Sequence, residues 1–239
     1  MGLLKQWVIM GTIGVLLLPA VSFAASPAVE IVKKAREYRD SLTTYAFRAT
    51  VQEELMDEQN KWHIYKKQLD VKVERPDKLR VDIQAEEKNR TIYLNNGLFT
   101  MVDHGYQYYG QLKTPKEIDK ALDFIFNKYG INAPLAGLIY RNMQKRVHFT
   151  RSKYFGTKEV AGVLCDYVAF RNSKRELHLW ITRGEEPVIR SLTLIDRTIK
   201  KHPRTTAFII WDTHPDFSES VFIFKPIKGL YPVSVVSPE

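Results

Sequence analysis

Between Tyr45 and Gln84, apolar and polar residues alternate through three successive runs, and this alternation restricts the chain more than any other feature in it. Tyr45, Phe47, Ala49, Val51 and Leu55 share one parity of the first run, and Arg48, Thr50, Gln52 and Glu54 share the other. Tyr65, Leu69, Val71 and Val73 repeat the pattern against Lys66, Gln68, Asp70, Lys72 and Glu74. Leu79, Val81 and Ile83 do so against Arg80, Asp82 and Gln84. A strand turns successive side chains to opposite faces, so each run predicts a strand that is greasy on one side and wet on the other. Three in a row describe an antiparallel sheet covered on one face.

The cover must come from helical patterns, and the sequence holds three. Ser26 and Pro27 stand where an N-cap and first helical residue belong, and Ile31, Ala35, Tyr38 and Leu42 follow as one stripe. Thr114 and Glu117 have capping-box spacing with Pro115 between them. Ile118, Leu122, Ile125 and Tyr129 then recur until Gly130 stops the pattern. A short helix is predicted over residues 133–142, presenting Leu135, Leu138 and Ile139.

Further strands are predicted at 90–94, 98–102 and 106–111, with hairpin signals at Asn95-Asn96-Gly97 and Asp103-His104-Gly105. After the helices, strands resume at 147–155 and continue as a meander through 161–194, turning at Asn172-Ser173-Lys174 and at 184–187. They close at 205–212 and 221–224. The run from Val163 to Phe170 is apolar on both faces, which places it inside the sheet and makes Cys165 a small buried hydrophobe. The tail after Gly229 is expected to trail along the surface.

The chain has 239 residues and is 44% apolar, enough for one domain with a sizeable core. Residues 1–24 read as an export signal: Lys5, an apolar run from Trp7 to Leu18, Pro19, then Ser22-Phe23-Ala24 with small residues where a signal peptidase cuts. Cleavage is expected after Ala24, with residues 25–239 as a single periplasmic domain; a retained N-terminal anchor is the alternative. Losing Lys5 lowers the formal charge of +9 by one. Export would exclude intracellular nucleic acid as the natural partner of so basic a chain, leaving the anionic lipid head groups of a membrane surface or cell-wall polymers, or simply a solvated face, to account for the charge.

Reactive constellations are absent from the sequence. Glu53 and Glu54 are strand neighbours and point to opposite faces, and Glu86-Glu87 and Glu185-Glu186 fall in turns. No two of the six histidines have zinc-site spacing, and Glu176 with His178 on one strand face reads as an ion pair. No phosphate loop, nucleophile elbow or dinucleotide fingerprint occurs. The expectation is a non-enzymatic, monomeric protein with no catalytic residue, no metal site and no cofactor.

The pattern Gly162-Val163-x-Cys165-Asp166-x-x-Ala169-Phe170-Arg171, followed by Leu179-Trp180-Ile181 and Pro187, resembles the predicted periplasmic proteins of domain of unknown function family 2092 (DUF2092). So do Arg75-Pro76-Asp77-Lys78-Leu79, the run from Ile118 to Asp123, Tyr129-Gly130-Ile131, Trp211 and Phe222-x-Phe224-x-Pro226. The chain departs from that pattern at Tyr167 and Ile189. The resemblance implies an α+β fold like the lipoprotein carriers LolA and LolB: a strongly curved open antiparallel sheet, a half-barrel, with helices covering its concave face. It further implies a cavity holding a hydrophobic or amphiphilic ligand, such as a lipid or lipoprotein acyl chain. On this reading Phe47, Leu69, Val71, Val81, Ile83, Phe99 and Met101 form the wall and Leu122, Ile125 and Leu138 the roof. The same residues would serve equally as a solid core, and the alternative function is an envelope interaction or sensor domain that binds another protein.

Overall fold

The computed structural model describes residues 26–86, 89–131, 135–141, 143 and 146–237; the expected signal 1–24 lies outside them. The chain folds around one open sheet of 12 strands. Helix α1 (Pro27–Ser41) leads into a meander of β1 (Thr44–Met56), β2 (Trp62–Glu74), β3 (Lys78–Ala85), β4 (Asn89–Asn95), β5 (Leu98–Asp103) and β6 (Tyr108–Lys113). Helices α2 (Ile118–Tyr129) and α3 (Ala136–Ile139) intervene. A second meander follows: β7 (Arg151–Val160), β8 (Val163–Arg171), β9 (Arg175–Thr182), β10 (Ile189–Asp196) and β11 (Arg204–Asp212). The last strand, β12 (Tyr231–Val233), closes the element order.

The strand order is β12-β6-β5-β4-β3-β2-β1-β11-β10-β9-β8-β7. The two meanders therefore run outward from β1, which pairs with its sequence neighbour β2 on one side and with β11 on the other. All pairings are antiparallel except β12 with β6.

The alternating runs become strands with the predicted faces. Tyr45, Phe47, Ala49 and Val51 are buried, and so are Leu69, Val71, Val73, Leu79 and Val81 beside them. The pattern ends where the cover ends. Ladder partners stop at Glu53 on the β11 side and at Lys67 on the β3 side, so the far part of the β1–β2 hairpin projects alone. There Leu55, Met56, Ile64 and Tyr65 are exposed. At the next hairpin Asn96 and Gly97 take φ of 49° and 82°, and a Cβ on Gly97 would lie 2.8 Å from the Thr114 carbonyl.

Four local expectations change. Thr114 does not cap α2: its amide and hydroxyl both bond to the Gly97 carbonyl, and the helix starts at Ile118. The strand expected at 147–155 runs instead from Arg151 to Val160. Residues 221–224 are not a strand; Glu219–Phe222 is a 3₁₀ turn that drives Phe222 into full burial, with the Val221 carbonyl accepting from Arg80. The tail does not simply trail: Tyr231–Val233 joins the sheet, and a Cβ on Gly110 would stand 2.5 Å from Val235. Cys165 is fully buried in β8, and burial pushes its thiol up.

Two apolar clusters line the covered face. The larger is packed between β1–β5 and the α2–α3 segment and includes Phe47, Val81, Phe99, Leu122 and Ile125. The smaller joins Ala28 and Ala35 of α1 to Val168, Leu179 and Ile181 of the second meander.

Candidate functional site

The two helical covers differ in what they fill. α2 buries Ile118, Ala121, Leu122 and Ile125, bulky enough to reach the strands beneath. α1 buries only Ala28, Ala35 and Arg39. Its Ile31 and Val32 pack against the strands only partly buried, and a helix whose branched side chains do not fully interlock with a sheet leaves a gap beside them. The strand below shows the result. β10 has a neighbour on both sides, yet none of its eight residues is fully buried.

The gap is a cavity of about 880 Å³ between α1, the 135–152 segment and the covered face of β8–β11 and β1. Its volume lies in the upper part of the range typical of small-molecule sites, roughly 300–1,000 Å³. The floor can be read from the strand register. One row across the sheet is Val168, Leu179, Leu192, Ala207, Val51 and Lys67. The next row towards one end of the strands is Ser152, Phe170, Leu177, Leu194, Thr205 and Glu53. In the opposite direction stand Ile181, Ile189 and Trp211. The floor is thus aliphatic and aromatic at one end and grades into hydroxyls and charges at the other. Val29, Val32, Leu135 and Met143 line the opposite side.

The roof is tied down by buried polar contacts. Arg39 donates to the Gly137 carbonyl at 3.0 Å and pairs with Asp40. Arg75, 7% exposed, pairs with Asp119 at 2.8 Å and donates to the Ile139 carbonyl, while the Asp119 carboxylate also accepts from the Arg141 amide. Burial, with Asp123 alongside, pushes the Tyr140 phenol up to about 12, and Arg146 spans the pair, stacking on the Tyr140 ring and bridging to Asp123. A helix of four residues has little stability of its own, so these contacts set its position.

The ten residues expected to bind a ligand do come together. Phe47, Leu69, Val71, Val81, Phe99, Leu122, Ile125 and Leu138 belong to the larger cluster, with Ile83 and Met101 packed against it. Of the ten, Leu138 alone also lines the large cavity. The others form a solid layer beside it, with most of their side chains closed to solvent. The cavity lies one helix away, and its floor residues Leu177, Leu179, Ile181, Leu192, Leu194 and Trp211 were not singled out from sequence. The α1 stripe of Ile31, Ala35, Tyr38 and Leu42 carries no signal that could have found them, because three of its four residues are bulky.

Outside the cavity, the opposite sheet face carries a hollow of about 330 Å³ edged by Arg48, Gln68, Asp70, Asp82 and Gln84. His178 is held between Glu176 at 3.0 Å and the Tyr167 hydroxyl at 2.7 Å, a structural pair rather than an open ligand set. Among the described residues no three His, Cys, Asp or Glu side chains converge as a metal site would need, and no helix is long and apolar enough to cross a membrane.

A family model described as "Predicted periplasmic protein (DUF2092)" matches residues 28–236. The fold is shared with the crystal structure of an uncharacterized conserved protein from Thermus thermophilus, at TM-score 0.51 and 10% identity over 87% of this chain and 98% of that one. Weaker likenesses include the lipoprotein LppX of Mycobacterium tuberculosis (TM-score 0.48, 9% identity, 81% of this chain and 99% of that one). Another is a LolA superfamily protein from Nitrosomonas europaea (TM-score 0.38, 10% identity, 84% and 99%). No curated protein matches the sequence.

Proposed function

The chain belongs to the DUF2092 family of predicted periplasmic proteins, and from that premise we propose that it is an exported, non-enzymatic binder of a hydrophobic or amphiphilic ligand. The ligand, a lipid or the acyl chain of a lipoprotein, occupies the space between α1 and the second meander. The observation that carries this reading is the cavity of about 880 Å³ floored by Leu177, Leu179, Ile181, Leu192 and Trp211. Burying apolar ligand surface there gains about 25 cal/mol per Å², without the cost of first opening a packed core. The neighbouring cluster of Phe47, Val81 and Leu122 acts as the rigid wall against which the cavity is held open.

Titration with N-phenyl-1-naphthylamine, an uncharged dye that fluoresces in apolar surroundings, tests this directly. Saturable enhancement that is lost in Leu192→Asp, with the variant still folded, is expected. A wild-type protein that neither enhances the dye nor yields lipid on organic extraction from its native host would overturn the reading in favour of an envelope interaction domain.

A further inference from the structure

The charges around the cavity are not balanced. Its lining includes Lys33, Arg36, Lys67, Arg151 and Arg175, against the single carboxylate of Glu53. Glu53 is already taken, 2.7 Å from Lys67. Lys33 lies 4.0 Å from Glu37. Among the described residues Arg36, Arg151 and Arg175 make no salt bridge.

Two of these three arginines stand at one end of the floor. Arg175 begins β9, two residues before Leu177, so it extends the polar end of the floor beyond the row of Ser152, Thr205 and Glu53. Arg151, the first residue of β7, lines the cavity edge next to Ser152, whose hydroxyl meets that of Ser26 at the start of α1 at 2.7 Å. Both arginines are exposed, whereas the far end of the floor, at Ile181 and Ile189, is apolar. The site is therefore a largely apolar chamber whose exposed end carries Arg151 and Arg175.

Resting on the ligand-binding reading above, we propose that the ligand is an anionic amphiphile whose hydrocarbon chain fills the apolar chamber and whose carboxylate or phosphate head is held at the mouth by Arg151 and Arg175. Guanidinium groups present paired donors that match both head groups, and a charge-assisted contact beside a low-dielectric wall is stronger than one in open water. A neutral head gains nothing there. A cationic head is repelled.

The test is displacement of bound N-phenyl-1-naphthylamine by four amphiphiles sharing one chain: dodecanoate, dodecyl phosphate, methyl dodecanoate and dodecylamine. The two anions are expected to displace the dye at concentrations about tenfold or more below those of the ester and amine, an advantage that shrinks as salt is raised. Arg151→Gln with Arg175→Gln should erase that preference, read within the variant as equal displacement by the anions and the ester, and lysine at both positions should restore most of it. If carboxylate wins and phosphate does not, the head group is a fatty acid's; the reverse result assigns a phospholipid's. Equal displacement by all four, with no salt dependence in the wild-type protein, overturns the assignment while leaving the cavity reading intact. Failure of the dye itself to bind overturns both. Should the double glutamine variant not fold, the wild-type salt series and the amine comparison decide alone.

Discussion

The indole Nε1 of Trp211 donates to the backbone carbonyl of Ile189 at 2.8 Å, which fixes the ring between the packed cluster and the cavity. One side of the ring meets Phe47 at 5.0 Å between centroids and Tyr45 at 5.8 Å, and the residue also lines the chamber. Trp211→Phe should lower stability by about 1–2 kcal/mol through the lost hydrogen bond and looser packing. Ligand uptake should shift the emission of the wild-type protein and leave that of the variant nearly unchanged. Urea denaturation and steady-state fluorescence measure the two effects.

Val81 and Leu192 test the boundary between solid core and cavity. Val81 is fully buried, paired with Val71 and Ile92, under the α2 side of the sheet. Val81→Asp should cost roughly 4 kcal/mol or more, since no partner awaits a buried carboxylate. Leu192 lies on the cavity floor and is only partly buried, so Leu192→Asp should cost far less while abolishing dye uptake. Equal destabilisation by the two substitutions, measured by thermal unfolding, would mean the chamber closes in solution.

Arg75 ties the sheet to both roof helices. Removing it by Arg75→Ala leaves the Asp119 carboxylate without its cation and the Ile139 carbonyl with only the long bond from the Tyr45 hydroxyl. A loss of about 3–5 kcal/mol is expected for breaking a buried pair from one side. Amide exchange at Arg141, whose N–H bonds to the same Asp119, should accelerate more than exchange in β1.

Asp103 supplies the clearest pH dependence. Burial pushes its carboxyl up, but the bond from Arg90 and the amides of Tyr106 and Gly105 outweigh it, and the net effect holds the group below the usual carboxylate range. A group depressed on folding contributes stability that is fully present above its unfolded value, about 4, and is lost as pH falls through the folded one. Asp103→Asn should therefore be less stable than wild type near neutrality and lose less stability on acidification from about pH 5 to 2. Denaturant midpoints across that range measure the difference.

Where structure follows short-range pattern, the sequence was sufficient. Alternation from Tyr45 to Ile83 specified both strand and face, Gly130 ended α2 with φ of 67°, and Asn172 turned the chain by accepting from the amides of Lys174 and Arg175. Legibility failed where a residue's partner is distant. Thr114 is claimed by Gly97 before it can cap a helix, Phe222 is pulled under the sheet by a 3₁₀ turn, and Tyr231 pairs with Tyr108 across the molecule. The site follows the same rule. The greasy faces of β1 to β3 were identifiable, but which stretch of the sheet would meet bulky side chains depends on α1 crossing to β7–β9 and α2 settling over the first meander.

The pairing of β1 with both meanders has a further consequence, for the order of assembly. Within the first meander each of the five ladders from β1 to β6 joins strands adjacent in sequence, so this half closes only short loops and can form before the rest of the sheet. The β1–β11 ladder must wait for residues 150 or more positions away, such as Arg204, whose amide bonds to Glu54. The chamber takes Val51 and Glu53 from one meander and Leu177, Leu192 and Trp211 from the other. It comes into being only when the two meanders meet, so a chain that ends before β11 lacks the chamber altogether.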